Sequence, residues 1–246
     1  MPTPDWFYLL TSSGALAPAS AVELHERGFV IIPGPYEPNR MHLLAMSYTS
    51  AMASAASEGV KVGTTSTRVN DFVNRGSAFD ELYMFPPLIV AACRVVGRPF
   101  KLSSFHARTL RPHMPSQGFH VDVQRDSVDW PLLGFILMVD DFRPDNGATC
   151  FVPGSHCWLD CPPDLDLDLR AVTDREVRAV GNAGSLIIFH GSTWHGHSAN
   201  RSDCSRRSLQ GAFIPQGGNA ATNFAARMRP ETLARLGPLA RRVLDI

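Results

Sequence analysis

Two histidines and one aspartate carry the chemistry that this sequence displays most openly. Gly118-Phe119-His120-Val121-Asp122 sets a histidine and a carboxylate two residues apart. On a β-strand, residues i and i+2 project from one face, so His120 and Asp122 can offer a nitrogen and an oxygen to one ion. His-x-Asp alone is a weak signal. Its complement lies far downstream in His195-Gly196-His197-Ser198-Ala199-Asn200. A histidine from that stretch completes two histidines and one carboxylate. Such a set occupies one face of an octahedral iron(II) and leaves three positions open for cosubstrate and dioxygen. His195 and His197 share a strand face, so pattern alone does not separate them. The glycine that follows His195, and the eleven-residue step from it to Arg206, favour His195. The planar fork of Arg206 can grip a carboxylate bidentately. A 2-oxoglutarate cosubstrate needs such a grip, because its keto-acid end meets the metal and its far carboxylate is left over. The charges agree: iron(II) with one carboxylate is net positive, a dianionic cosubstrate makes it negative, and Arg206 returns the site to neutral, as a buried site requires.

These residues need a scaffold of facing strands, and the chain is built for one. It has 246 residues, 44% of them hydrophobic, enough for one well-cored domain over its whole length. From Pro99 onward, short candidate strands follow one another between Gly, Pro and Asn: 100–110, 118–123, 132–139, 149–152, 176–180, 185–189, 193–198 and 208–214. That spacing predicts a sandwich or jelly-roll barrel. The preceding part, to about residue 98, reads as mainly helical. A helix is expected over Ser20–Arg27, with Ser20 and Glu23 as a capping box and Gly28 as C-cap, followed by a strand over Phe29–Ile32. Further helices are expected over 40–58 and over 77–96, the second interrupted by Pro86-Pro87 and stopped by Gly97, and a closing helix over 230–244.

Composition narrows the function classes. Acidic and basic residues balance at 23 each, leaving no basic excess to neutralise a nucleic-acid backbone. No apolar run reaches the roughly 20 residues of a membrane helix, and the acidic, proline-bearing first ten residues do not read as a signal peptide. Five cysteines in a chain of this size do not suggest a disulfide framework. A soluble, reducing, cytoplasmic setting is expected. The partner is then a small-molecule substrate, with neither nucleic acid nor membrane, and a homodimer is compatible with this.

Four stretches together resemble the phytanoyl-CoA dioxygenase family of iron(II)- and 2-oxoglutarate-dependent oxygenases. They are Arg68-Val69-Asn70-Asp71, Gln117 to Asp122, Asp145-Asn146-Gly147-Ala148-Thr149 running on to Pro153-Gly154-Ser155-His156, and His195 to Arg206. The resemblance spans most of the chain. It implies a mainly β fold with flanking helices, the double-stranded β-helix or cupin-like jelly roll. It also implies oxidation of an unactivated C–H bond with dioxygen, releasing succinate and carbon dioxide. By resemblance, His120, Asp122 and His195 match the metal ligands and Arg206 the carboxylate-binding arginine. Gln117 and Thr149 match positions that hydrogen-bond 2-oxoglutarate, and Arg68 a residue that sometimes reaches it. One departure stands out: two residues after the distal histidine the family often has serine or threonine, and here it is His197. Ser198 substitutes, His197 does the work, or the contact is missing. The motifs lean towards enzymes of specialised metabolism, such as fungal terpenoid and alkaloid oxygenases.

Other residues invite plainer readings. His190 has the wrong parity for the site, and His156 is expected to tie down a turn. His113 is expected in a solvated loop, and His106 is a better candidate for the pocket, with a structural role weighed equally. Asp140 and Asp141 read as turn residues. Asp164, Asp166 and Asp168 read as a solvated edge, and Cys157 with Cys161 lacks the second pair that a zinc site needs. Two rival functions are a halogenase, against which Asp122 argues, and a cupin-like isomerase or sensor that binds metal without 2-oxoglutarate chemistry.

Overall fold

Strand-forming residues flank the longest extended run of the chain, and pairing around that run organises everything else. The structure, a computed structural model, describes residues 5–123, 132–158 and 174–246. Helices α1 (Asp5–Thr11) and α2 (Pro18–Arg27) precede strand β1 (Phe29–Pro33), and α3 (Met41–Ala53) precedes β2 (Val60–Val62) and β3 (Ser66–Asn70). Helices α4 (Asp80–Tyr83) and α5 (Pro86–Val96) then lead into β4 (Phe100–Leu110). The strands β5 (Gln117–His120), β6 (Leu133–Met138), β7 (Thr149–Phe151), β8 (Val177–Ala179), β9 (Ser185–His190), β10 (His195–His197) and β11 (Arg206–Pro215) follow. Short helices α6 (Phe224–Arg227), α7 (Pro230–Arg235) and α8 (Pro238–Val243) close the chain.

All pairings are antiparallel, in a seven-stranded sheet ordered β1-β9-β6-β11-β4-β3-β2 and a four-stranded sheet ordered β5-β10-β7-β8. This is the expected mainly β jelly roll with flanking helices. One apolar cluster joins the outer face of the large sheet (Leu102, Phe105, Phe135, Leu209, Phe213) to the helices, among them Leu88, Ile89 and Ala92 of α5. A bulge on β4 opposite Ala212–Phe213 lets Leu102 and Phe105 both face the helices, where unbroken alternation would split them. A second cluster lies between the sheets, with Phe29, Ile136, Ile187 and Phe189 of the large sheet against Phe151 and Ala179 of the small one. Phe29 and Phe151 stack at 4.4 Å. A Cβ at Gly134 would strike the Phe189 ring, so glycine there lets that ring settle between the sheets. No helix among the described residues is long and apolar enough to cross a membrane.

Several expectations shift. The helix expected from Ser20 starts at Pro18, and its N-cap is Ala17 without a side-chain bond, so the capping box does not form. Proline at N1 already has helical φ and lacks the N–H that a cap would satisfy. Gly28 is the C-cap as expected, at φ 79°. The stretch 77–96 breaks into a 3₁₀ turn, α4 and α5, because Pro86 cannot continue a helix and starts the next one. The closing helix is two helices, parted at Gly237-Pro238. The part to residue 98 is mainly helical as expected, and its short strands β1, β2 and β3 join the large sheet. The strand β3 escaped sequence reading because Val69 is its only apolar residue, too few to show an alternation. Cys161, Asp164, Asp166 and Asp168 lie outside the described residues.

Candidate functional site

The register of two short strands builds the site. On the small sheet, β10 lies beside the edge strand β5, and His195 stands directly opposite His120. Their rings meet with centroids 4.3 Å apart. Asp122 follows β5, and its N–H donates to the Gly191 carbonyl at 2.7 Å, which holds the chain back towards the His195 strand. The Nδ1–H of His195 donates to the Thr193 carbonyl at 2.8 Å, leaving Nε2 as the free lone pair, 3.7 Å from Asp122 Oδ1. His120 Nδ1 lies 3.4 Å from the Gly118 carbonyl. Burial, and then the neighbouring His195, push the proton affinity of His120 below its ordinary value, which favours the neutral ring that binds metal. One ligand atom from each of His120, Asp122 and His195 lies within 4.8 Å of the others, so the three could hold one metal ion. Phe151 and Phe189 pack against the His195 ring at 5.8 and 4.8 Å.

Arg206 opens β11 and turns inward, with only 2% of its surface exposed. Its guanidinium lies 4.0 Å above the Phe142 ring, and its Nε and Nη1 have no hydrogen-bond partner. Burial, and then the nearby Arg108, push its pKa down to about 9, so it stays cationic at neutral pH. Arg207, one residue on, points the other way and pairs with Asp140 at 2.6 Å. Thr149 of β7 is buried and stands directly opposite His197 of β10. Gln117 Oε1 accepts from Arg108 Nη2 at 3.0 Å, and Arg68 Nε donates to Asn70 Oδ1 at 2.9 Å.

All seven residues read from the sequence line one cavity of about 480 Å³. His106 joins them, buried and with Nδ1 unpartnered. His197 lines the cavity and Ser198 does not. Its Nδ1 donates to the Ser198 carbonyl at 2.9 Å and its Nε2 lies 3.3 Å from Thr65 Oγ1. His113 is solvated and bridges to Asp203 at 3.0 Å. His156 and His190 stack at 4.8 Å away from the cavity, and His156 Nε2 donates to the His25 carbonyl at 2.9 Å, tying a turn to α2. Asp140 is more than a turn residue, since it anchors Arg207. Sequence reading missed Arg108 and Gln210, which also line the cavity. The signal was there for Arg108, two residues from His106 on one strand and so on the same face.

Residues 24–208 match the model of the phytanoyl-CoA dioxygenase (PhyH) family, three-quarters of the chain. This chain belongs to the phytanoyl-CoA dioxygenase family. Among its relatives, dioxygenase cdmA of Talaromyces verruculosus is 34% identical over 110 residues, covering 41% of this chain and 35% of that protein. Dioxygenase aneA of Aspergillus aculeatus is 27% identical over 214 residues, covering 78% and 70% of the two chains. The iron/alpha-ketoglutarate-dependent dioxygenase okaE of Penicillium ochrochloron is 28% identical over 153 residues, covering 58% and 49%. The matched segment thus spans only 35% of cdmA and 38% of dioxygenase trt7 of Aspergillus terreus. Among solved structures, the epimerase SnoN in complex with Fe3+, alpha ketoglutarate and nogalamycin RO superposes with a TM-score of 0.66 at 18% identity, over 80% of this chain and 82% of that one. The jelly roll is therefore the fold of this PhyH-family chain and of that epimerase alike.

Proposed function

We propose that this chain is an iron(II)- and 2-oxoglutarate-dependent dioxygenase that oxidises an unactivated C–H bond of a small-molecule metabolite. Hydroxylation is the outcome we favour, with succinate and carbon dioxide released. His120, Asp122 and His195 hold the iron. Arg206 pairs with the far carboxylate of 2-oxoglutarate, Gln117 and Thr149 hydrogen-bond the cosubstrate, and Arg68 reaches towards it. The observation that carries this reading is the buried Arg206 guanidinium, whose Nε and Nη1 lack partners in the cavity that also holds His120, Asp122 and His195. A buried cation with two free donors fits an anionic group of matching fork geometry. Two neutral imidazoles and one carboxylate fit a divalent iron with open positions. The metal and its cosubstrate, when bound, supply the oxidising power.

The chain's residues supply the rest. The Thr193 carbonyl fixes the tautomer of His195, so Nε2 faces inward. Phe151 and Phe189 hold that ring and keep water from its far side. Asp122, the one carboxylate among the cavity residues, brings the only ligand charge. A metal-binding isomerase or sensor without cosubstrate leaves the orphaned Arg206 unexplained. The four free cysteines among the described residues suit a reducing, cytoplasmic setting. The test is anaerobic titration of the iron(II) protein with 2-oxoglutarate, followed by admission of dioxygen. A metal-to-ligand charge-transfer band and succinate release are expected, and both should vanish in His195→Ala. Iron binding with neither band nor succinate would transfer the chain to the isomerase or sensor class.

A further inference from the structure

The inner face of the large sheet changes character across its width. Towards β1 it is apolar, with Phe29, Ile187 and Ile136 packed against the small sheet. Towards β3 it carries Arg68, Arg108 and His106 into the cavity. Arg68 and Arg108 stand directly opposite each other in the β3–β4 register. Two like charges facing each other across antiparallel strands destabilise a sheet. Burial lowers the proton affinity of both guanidiniums, Arg68 adds to the effect at Arg108, and the more distant Asp122 partly offsets it at both.

No carboxylate lies within ion-pair distance of either arginine among the described residues. Arg108 donates from Nε to Ser66 Oγ at 3.1 Å and from Nη2 to Gln117 Oε1 at 3.0 Å, and Arg68 donates to Asn70 Oδ1 at 2.9 Å. All three partners are neutral. By contrast, Arg207 and Arg235, outside the cavity, each meet an aspartate at 2.6 Å. The cofactors do not absorb the excess. On the function proposed above, iron(II), Asp122, a dianionic cosubstrate and Arg206 sum to neutrality. Arg68, which reaches towards the cosubstrate, and Arg108, which has no role there, add two further positive charges. The same cavity is also lined by Leu132, Ile136 and Phe189, which offer an apolar surface.

We propose that Arg108 is the receptor for a carboxylate of the substrate, so that the enzyme takes amphipathic carboxylic acids in preference to their neutral analogues. The anionic end lies against β4, and the apolar body lies along Ile136 and Phe189. The inference rests on the iron and 2-oxoglutarate reading. It assigns a specificity-determining role to Arg108, which that reading leaves unused.

The test uses the protein loaded anaerobically with iron(II) and 2-oxoglutarate, its charge-transfer band recording the loaded centre. Binding of 3-phenylpropionate and of 3-phenylpropionamide, nearly isosteric but differing in charge, is measured by calorimetry. The parent should bind the carboxylate about tenfold or more tightly than the amide, as one charged hydrogen-bond pair predicts. Arg108→Gln should erase that preference while changing 2-oxoglutarate affinity far less than Arg206→Lys does. Arg108→Met, which stands in if Arg108→Gln does not fold, should erase it as well. Equal behaviour of the two probes in the parent, at whatever affinity, overturns the proposal. So does a preference that survives in both variants. A loss of 2-oxoglutarate binding in Arg108→Gln as large as that in Arg206→Lys would assign Arg108 to the cosubstrate instead. Failure of the underlying reading is seen separately, as absence of the charge-transfer band in the parent before any probe is added.

Discussion

Replacing Arg206 by lysine keeps one positive charge in the cavity and removes the fork. The structure sets the size of the effect. Arg206 has two unpartnered donors, Nε and Nη1, on one planar group held over the Phe142 ring. A lysine ammonium is a point charge without that planar pair. A hydrogen bond to a charged group contributes about 1.5–3 kcal/mol, so losing one of the two should weaken 2-oxoglutarate binding roughly tenfold to a hundredfold. Arg206→Met, which loses both donors, should weaken it further. Iron(II) affinity should hardly change, because the arginine is not among the candidate ligands. The neighbouring Arg207 is the internal control, since its guanidinium is engaged by Asp140 on the opposite face of β11. Arg207→Lys should alter thermal stability and leave cosubstrate binding intact. The assay is the anaerobic charge-transfer titration. Parent-like titration of Arg206→Lys beside an impaired Arg207→Lys would refute the inward register of β11. Indifference of both would refute the carboxylate role altogether.

Metal binding should separate the two histidines of β10: His195→Ala and His120→Ala are expected to lose iron(II), while His197→Ala, whose ring bonds to Ser198 and lies near Thr65, keeps it. Metal analysis after dialysis checks this, and the reverse pattern would exchange the two roles. A pH effect should arise at His190, whose pKa burial and then His156 depress to about 3. The unfolded chain binds a proton below about 6.5 and the folded one does not until about 3, so stability should fall as pH drops through that window. The slope from this one group is about 1.4 kcal/mol per pH unit. Urea midpoints for the parent and His190→Leu between pH 7 and 4 should therefore converge on acidification, and parallel curves would contradict the buried neutral ring.

Much was legible in the chain itself, and the reason is local. Strand β4 keeps the bounds expected from Phe100 to Leu110, because β-branched and aromatic residues and the punctuation around them act over a few residues. Gly28 and Gly97 end their helices at φ 79° and 68°, a conformation that glycine adopts at little cost. Arg206 against Arg207 follows from the two-residue period of a strand, whereas Asp122 lies beyond the end of β5 and is brought back to His120 by its N–H bond to the Gly191 carbonyl. Other features depended on pairing between distant segments. Only the β5–β10 register sets His195, and not His197, opposite His120. Only the β3–β4 register brings Arg68 face to face with Arg108. A polar strand lining a cavity has no apolar alternation to betray it, so β3 and the arginine pair stayed hidden until the sheet was assembled. The sequence by itself determined which residue types could bind a metal and a carboxylate, while tertiary pairing decided which of them meet and how much positive charge surrounds them.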